Sequence, residues 1–180
     1  LMGEGAGAVL VETEASARAR GAPSIGRILG SGHATESEGL LAIRDDGDGP
    51  ERAIRAALDD AGIAAREVGM IVAHGNGTPA SDLSEARGIL AVFGAHAPPV
   101  TAFKWCIGHL IAAAGAIETV LAFEALRRGV VPGIPVLERV DPAFEALPVA
   151  RETREPGSGI ALVLSRGFGG TDAALVVARA

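Results

Sequence analysis

The chain of 180 residues has no tyrosine, one tryptophan, one cysteine and one lysine, and aromatic residues make up only 3% of it. Each shortage removes a class of function. A single cysteine excludes an intrachain disulfide framework and a Cys-rich zinc site. Four histidines without close pairing in sequence give no structural metal site. So few aromatics leave no stacking platform of the kind that single-strand nucleic-acid binders use. A net charge of −6 argues against general affinity for nucleic acid or an anionic membrane. A basic stretch leading into an apolar one, as in a signal peptide, is not seen. The longest apolar run, Ile111 to Ala122, is interrupted by Glu118 and followed by Glu124, Arg127 and Arg128, too short and too charged for a membrane span. A cytoplasmic location is the expectation. Position 1 is leucine, so the sequence is expected to be a fragment or a processed product unless translation starts at Met2.

What is present suits one domain with a real core: 48% of residues are hydrophobic, 25 are glycine, and all cations except Lys104 are arginine. Ala6–Val11 and Ser24–Gly30 read as strands, and residues 33–49 as a polar surface loop. Pro50 opens a helix that Gly62 closes, with Ile54, Leu58 and Ala61 at helical spacing. Val68–Ala73 reads as a strand delivering His74 at its C-terminal end. Asp82 and Glu85 read as a capping box for a helix ending at Gly94. Val100–Thr101 is a brief strand, and a long Ala-rich helix is expected from Gly108 to Gly129. Two closing strands, 159–165 and 173–178, flank a Gly-rich turn. Alternation of strands and helices predicts an α/β fold: a mixed, mostly parallel sheet with helices on its faces and chemistry at the strand C-termini.

Three groups of residues could carry chemistry. In His74-Gly75-Asn76-Gly77-Thr78-Pro79 a histidine follows a buried strand, and glycines allow close approach of a ligand; Asn-Gly also reads as a plain turn. In Lys104-Trp105-Cys106-Ile107-Gly108-His109 the second histidine falls at the expected start of the Ala-rich helix. There the helix dipole disfavours an imidazolium, leaving a neutral ring able to donate one hydrogen bond to a carbonyl oxygen as it becomes negative. The bland reading is a helix-start histidine beside a snorkelling lysine. In Gly167-Phe168-Gly169-Gly170 the phenylalanine is a turn plug or a mobile gate. A loose G-x-G-x-x-A at Gly3, Gly5 and Ala8 lacks a preceding strand and is a weak nucleotide-binding match.

Taken together, these groups and the flanking Gly3-Glu4-Gly5-Ala6-Gly7 and Gly115-Ala116-Ile117-Glu118 segments resemble the C-terminal half of the β-ketoacyl-acyl-carrier-protein synthases, along the whole chain. The resemblance implies residues 1–180 to be the C-terminal domain of such a synthase, with residues 1–20 the tail of its N-terminal half. It implies a thiolase-like fold and decarboxylative Claisen condensation of malonyl on a carrier protein with an acyl thioester, in fatty acid or polyketide synthesis. By the same resemblance His74 and His109 hold the thioester carbonyl, Lys104 holds the histidine site electrostatically, and Glu118 supports it. Thr78 contacts the pantetheine arm and Phe168 gates the nucleophile. No cofactor is implied beyond the phosphopantetheine arm that carries the substrates. The implied partners are acyl carrier protein, the N-terminal half, and a second subunit in a homo- or heterodimer.

The family's nucleophilic cysteine lies in the half this chain lacks, so these residues alone should be incompetent for condensation. An apolar face that normally meets the other half should be left on them. Cys106, inside the lysine-to-histidine motif, reads as a buried small hydrophobe. Departures from the family pattern include Asn76 where threonine is usual, Trp105-Cys106, Arg166 where a second aromatic often precedes the gate, and Asp172 for a common asparagine. His33 falls in a loop where an aspartate is common and receives no function; His96 reads as a surface residue. Two other readings are a non-catalytic chain-length or scaffold partner of a condensing enzyme, and a thiolase.

Overall fold

A computed structural model describes residues 1–180. The elements in order are α1 (Glu14–Ala19), β1 (Gly26–Thr35), α2 (Asp48–Ala61), β2 (Met70–Val72), α3 (Pro79–Phe93), β3 (Val100–Thr101), α4 (Lys104–Ile107), α5 (Ala114–Arg128), β4 (Ile160–Gly167) and β5 (Thr171–Arg179). The strands form one mixed sheet in the order β1-β5-β4-β2-β3. The β4-β2-β3 half is parallel and the β1-β5-β4 half antiparallel. Parallel pairing is thus confined to the half that carries His74. The last two strands are joined by a tight turn, which permits only antiparallel pairing.

Side chains alternate across this sheet with the period of two that a strand imposes. Ile71, Leu162, Leu164, Ala174 and Val176 face one side, where they meet Ala53, Ile54, Ala57 and Leu58 of α2 and Ile89 and Phe93 of α3. Met70, Val72, Ala161, Val163 and Val177 face the other, against Ala122, Phe123, Ala125 and Leu126 of α5. Helix α2 lies close on β1 because two strand residues have no side chain. A Cβ at Gly30 would stand 2.3 Å from the Ala61 nitrogen, and one at Gly32 2.1 Å from the Ala53 carbonyl oxygen. No helix is long and apolar enough to cross a membrane.

Several elements differ from the sequence expectation. Residues 6–11 form no strand; Gly5 and Gly7 lie against Leu110 and Ile117 instead of a strand edge. Strand β1 runs on to Thr35, so His33 is an exposed strand residue paired with Ala173, not a loop residue. Helix α3 begins at Pro79 with Thr78 as N-cap, so Asp82 is not the cap. Proline's fixed φ suits the first helical turn, and the Glu85 carboxylate is bonded elsewhere, as described below. The helix expected from Gly108 begins only at Ala114, after a 3-10 turn at Ile111–Ala113, and a separate turn, α4, ends just before Gly108. Gly108 (φ 74°) and Ile111 (φ 54°) take left-handed backbone there. The ends at Gly62, Gly94 and Gly129 fall as expected.

Candidate active site

Parallel strands β2 and β3 end side by side, and each leads into one of the two histidine-bearing loops. His74 follows β2 and is buried. Its backbone N–H and that of Gly75 donate to the two carboxylate oxygens of Glu85, at 2.7 and 3.0 Å. Glu85 therefore fixes the start of the His74 loop from α3. Burial pushes the Glu85 carboxyl up to about 7, against the opposing pull of those two N–H groups.

After β3, the single turn α4 turns Lys104 inward and Cys106 outward. The Lys104 Nζ donates to the His74 carbonyl oxygen at 2.6 Å and to Glu118 Oε1 at 2.5 Å. Lys104 and Glu118 are both buried, and burial raises the Glu118 carboxyl while the lysine lowers it. The lysine does not snorkel. Cys106 is exposed, correcting its reading as a buried hydrophobe. Its thiol contacts the Phe103 carbonyl at 3.1 Å, and burial raises its pKa.

The two imidazoles meet edge to face, with centroids 5.3 Å apart and planes at 79°. Each Nδ1 accepts a backbone N–H: His74 from Arg166 at 3.2 Å, and His109 from Ile111 at 3.1 Å. A ring nitrogen that accepts carries no proton, so in each neutral ring the proton sits on Nε2. Burial, then the charges of Lys104, His109 and Arg166, depress His74 to about 3. Burial and then Lys104 lower His109 as well. The dipole expected of a helix starting at Gly108 is not the cause, because α5 begins five residues after His109. The left-handed Ile111 turn supplies the N–H that fixes the tautomer.

The His109 backbone is gripped from the chain's other end. Its N–H donates to the Leu1 carbonyl at 2.9 Å, and the Gly3 N–H donates to its carbonyl at 3.1 Å. Gly3 allows this approach: a Cβ there would lie 2.3 Å from the Ile107 carbonyl oxygen.

His74, His109, Lys104 and Glu118 thus form one connected cluster. Thr78 is exposed at the start of α3, and its N–H is held by Asn76 Oδ1 at 2.9 Å. Phe168 is 76% exposed at the tip of the β4–β5 hairpin. It plugs nothing. His96 is exposed. A separate cavity of about 360 Å³ lies behind the His74 loop, lined by Ala73, Trp105, Leu137 and Phe144 among others, and contains neither histidine.

Sequence reading missed Glu85 as a holder of the His74 loop, and it missed the acid pair Glu36 and Asp172. Glu36 was read as part of a surface loop but is buried. Arg166 donates to it at 2.9 Å and to Asp172 at 2.6 Å. The two singular positions Arg166 and Asp172 are therefore each other's partners. The detectable signal was an arginine and an aspartate placed symmetrically about the Gly167–Thr171 turn.

Two rings with their protons on Nε2 thus stand beside a buried ammonium, in the loops that follow two parallel strands. Residues 25–138 match the family "Beta-ketoacyl synthase, C-terminal domain". The chain is 36% identical over 179 residues to 3-oxoacyl-[acyl-carrier-protein] synthase 2 of Mycobacterium tuberculosis, covering 99% of this chain and 43% of that protein. It is 37% identical over 180 residues to the like-named protein of Staphylococcus aureus, covering 98% and 43%. Among solved structures, the ishigamide ketosynthase/chain length factor superposes with a TM-score of 0.93 at 35% identity, over 100% of this chain and 44% of that one. A type II PKS ketosynthase, solved in complex with its acyl-carrier protein, superposes with a TM-score of 0.88 at 28% identity, over 94% and 42%. The chain belongs to the beta-ketoacyl synthase family, of which it carries the C-terminal domain in a thiolase-like fold. It spans less than half the length of the curated relatives it matches.

Proposed function

We propose that this chain supplies the decarboxylation half-site of a β-ketoacyl-acyl-carrier-protein synthase. The observation that carries the reading is the paired tautomer: both histidines have Nδ1 held by a backbone amide and present Nε2–H from rings 5.3 Å apart. The thioester carbonyl of a malonyl group accepts from both. The bond to its carboxylate breaks, carbon dioxide leaves, and the electron pair passes into the enolate, whose oxygen the two donors stabilise. The enolate carbon then attacks the acyl thioester on a cysteine, releasing the thiolate. That cysteine belongs to the N-terminal half of the synthase.

In this reading Lys104, tied to Glu118, holds the His74 loop in place, and its charge adds to burial in keeping both rings neutral. Thr78 and Phe168 border the path of the phosphopantetheine arm, which brings the substrate on an acyl carrier protein; the reaction needs no further cofactor. A dimer in the cytoplasm is the setting, with the exposed Leu10, Val11 and Val120 available for cover by the other half. Both donors and the lysine are intact, which favours an active synthase over a non-catalytic chain-length partner. A malonyl-dependent reaction separates the synthase from a thiolase, which works on acetyl coenzyme A alone.

The test joins these residues to the N-terminal half and measures carbon dioxide release from malonyl on carrier protein. Replacing His74 or His109 by alanine is expected to slow release by roughly 100- to 1,000-fold each. Unchanged release in a folded His74→Ala protein would overturn the reading.

A further inference from the structure

Arg166 stands where three separate segments and the His74 ring come together. Its backbone N–H holds His74 Nδ1 at 3.2 Å. Its guanidinium donates through Nε to Asp172 Oδ1 at 2.6 Å, through one amino nitrogen to the Ser81 carbonyl at 3.0 Å, and through the other to Glu36 Oε1 at 2.9 Å. The side chain is 9% exposed and the two carboxylates 1% and 2%. A planar fork can reach three acceptors in different directions while remaining charged, which an ammonium on a flexible stem cannot do as rigidly.

The position of this fork in the hairpin gives it leverage. Arg166 and Asp172 are direct partners in the β4–β5 ladder, one step below the turn that bears Phe168. Their ion pair closes the neck of that hairpin. Glu36 ties the same neck sideways: its N–H donates to the Gly170 carbonyl at 2.8 Å, and its second oxygen accepts the Arg44 N–H at 3.0 Å. Gly169 in turn donates to the Leu40 carbonyl at 2.8 Å. Gly49 makes room for the acid pair, since a Cβ there would lie 2.3 Å from Asp172 Oδ2 and 2.5 Å from Glu36 Oε1. A shift of the Phe168 turn therefore pulls on Arg166, and Arg166 is the residue whose amide orients His74.

We propose that Arg166 is a positioning residue that locks the His74 imidazole in register and couples it mechanically to the Phe168 turn. The ring is then correctly held only while the turn is seated against the Glu36 loop. This rests on the functional reading above, because it concerns how His74 is held for the carbonyl.

The experiment uses the complete synthase and malonyl on carrier protein, with Arg166→Lys and His74→Ala assayed side by side. Arg166→Lys keeps a positive charge and the backbone amide but loses the fork. It is expected to lower kcat for decarboxylation at least about tenfold while KM stays within about twofold, as for a displaced catalytic group. An unchanged kcat for folded Arg166→Lys, with His74→Ala inactive, overturns the positioning role alone. An active His74→Ala overturns the functional reading itself. Should Arg166→Lys fail to fold, Glu36→Gln keeps an acceptor for the fork but removes its charge. A fall in kcat at constant KM supports the coupling, and an unchanged kcat overturns it.

Discussion

The Nζ of Lys104 lies 2.5 Å from Glu118 Oε1, with both side chains out of water, and the same ammonium holds the His74 carbonyl oxygen. One cation thus serves a pair and a loop together. Breaking a buried pair by removing one partner costs about 3–5 kcal/mol, so Lys104→Met should lower the unfolding free energy by an amount of that order in urea titration. Lys104→Arg keeps the charge but brings a wider planar group into a site shaped for a compact one. It should retain most of the stability yet lose at least about tenfold in decarboxylation rate. Full activity of Lys104→Arg would show that charge alone matters.

The pH profile of decarboxylation follows from the depressed histidines. The neutral imidazole is the working form, and a lowered pKa extends its range toward acid. His74 sits at about 3 and His109 below its ordinary value. The rate constant at saturating substrate should show no acid limb near pH 6.5 when measured from pH 5 to 8. A limb centred near 6.5 would mean that one ring titrates as if exposed.

Glu85 and Asp172 have carboxyls raised by burial, to about 7 and about 6. The folded state keeps protons that the unfolded state releases above roughly pH 4, so their contribution to stability is present below that pH and is lost as pH rises through the folded values. His74, depressed in the fold, acts in the opposite sense, losing stability as pH falls below about 6.5. Comparison with Glu85→Gln isolates one carboxyl. The difference in unfolding free energy, native minus variant, should shrink as pH goes from 5 to 8; a constant difference would contradict the raised value.

The close seat of α2 on β1 gives a structural prediction. A Cβ at Gly32 would meet the Ala53 carbonyl and Ala57 nitrogen at 2.1 and 2.4 Å, both backbone atoms that cannot swing aside. Gly32→Ala should destabilise the fold by at least about 1–3 kcal/mol through overpacking, seen as a lower denaturation midpoint. Gly21→Ala meets no atom within 4 Å but is strained by its φ of 66°, so any loss there should not grow with side-chain size, unlike at Gly32.

Much of this was legible because it depends on local rules. Val100–Thr101, the cap at Gly94 and the Gly-rich hairpin follow from short-range pattern, and the family motifs marked His74, Lys104 and His109. Other features were hidden because distant groups decide them. Asp82 and Glu85 have capping-box spacing, but Glu85 is bonded to the His74 and Gly75 amides, contacts that no window around residue 85 contains. The break at Ile111 carries no glycine signal, since a β-branched residue rarely adopts positive φ. Glu36 looked solvated amid polar residues, but it is buried against the distant Arg166 on β4 and the Arg44 N–H.

The grip of Leu1 and Gly3 on His109 has a consequence for the order of events in folding. These hydrogen bonds join residues more than a hundred positions apart. The entropy cost of closing such a loop is met only after intervening elements are in place, so contacts of this separation come late. The two histidine backbones are therefore expected to be fixed at different stages. The His74 backbone is held through the nearby Glu85 once β2 and α3 meet, whereas the Arg166 amide that holds its ring, 92 positions on, and the backbone partners of His109 come from distant segments. A pulse of amide exchange during refolding should find the His109 N–H protected later than the His74 N–H.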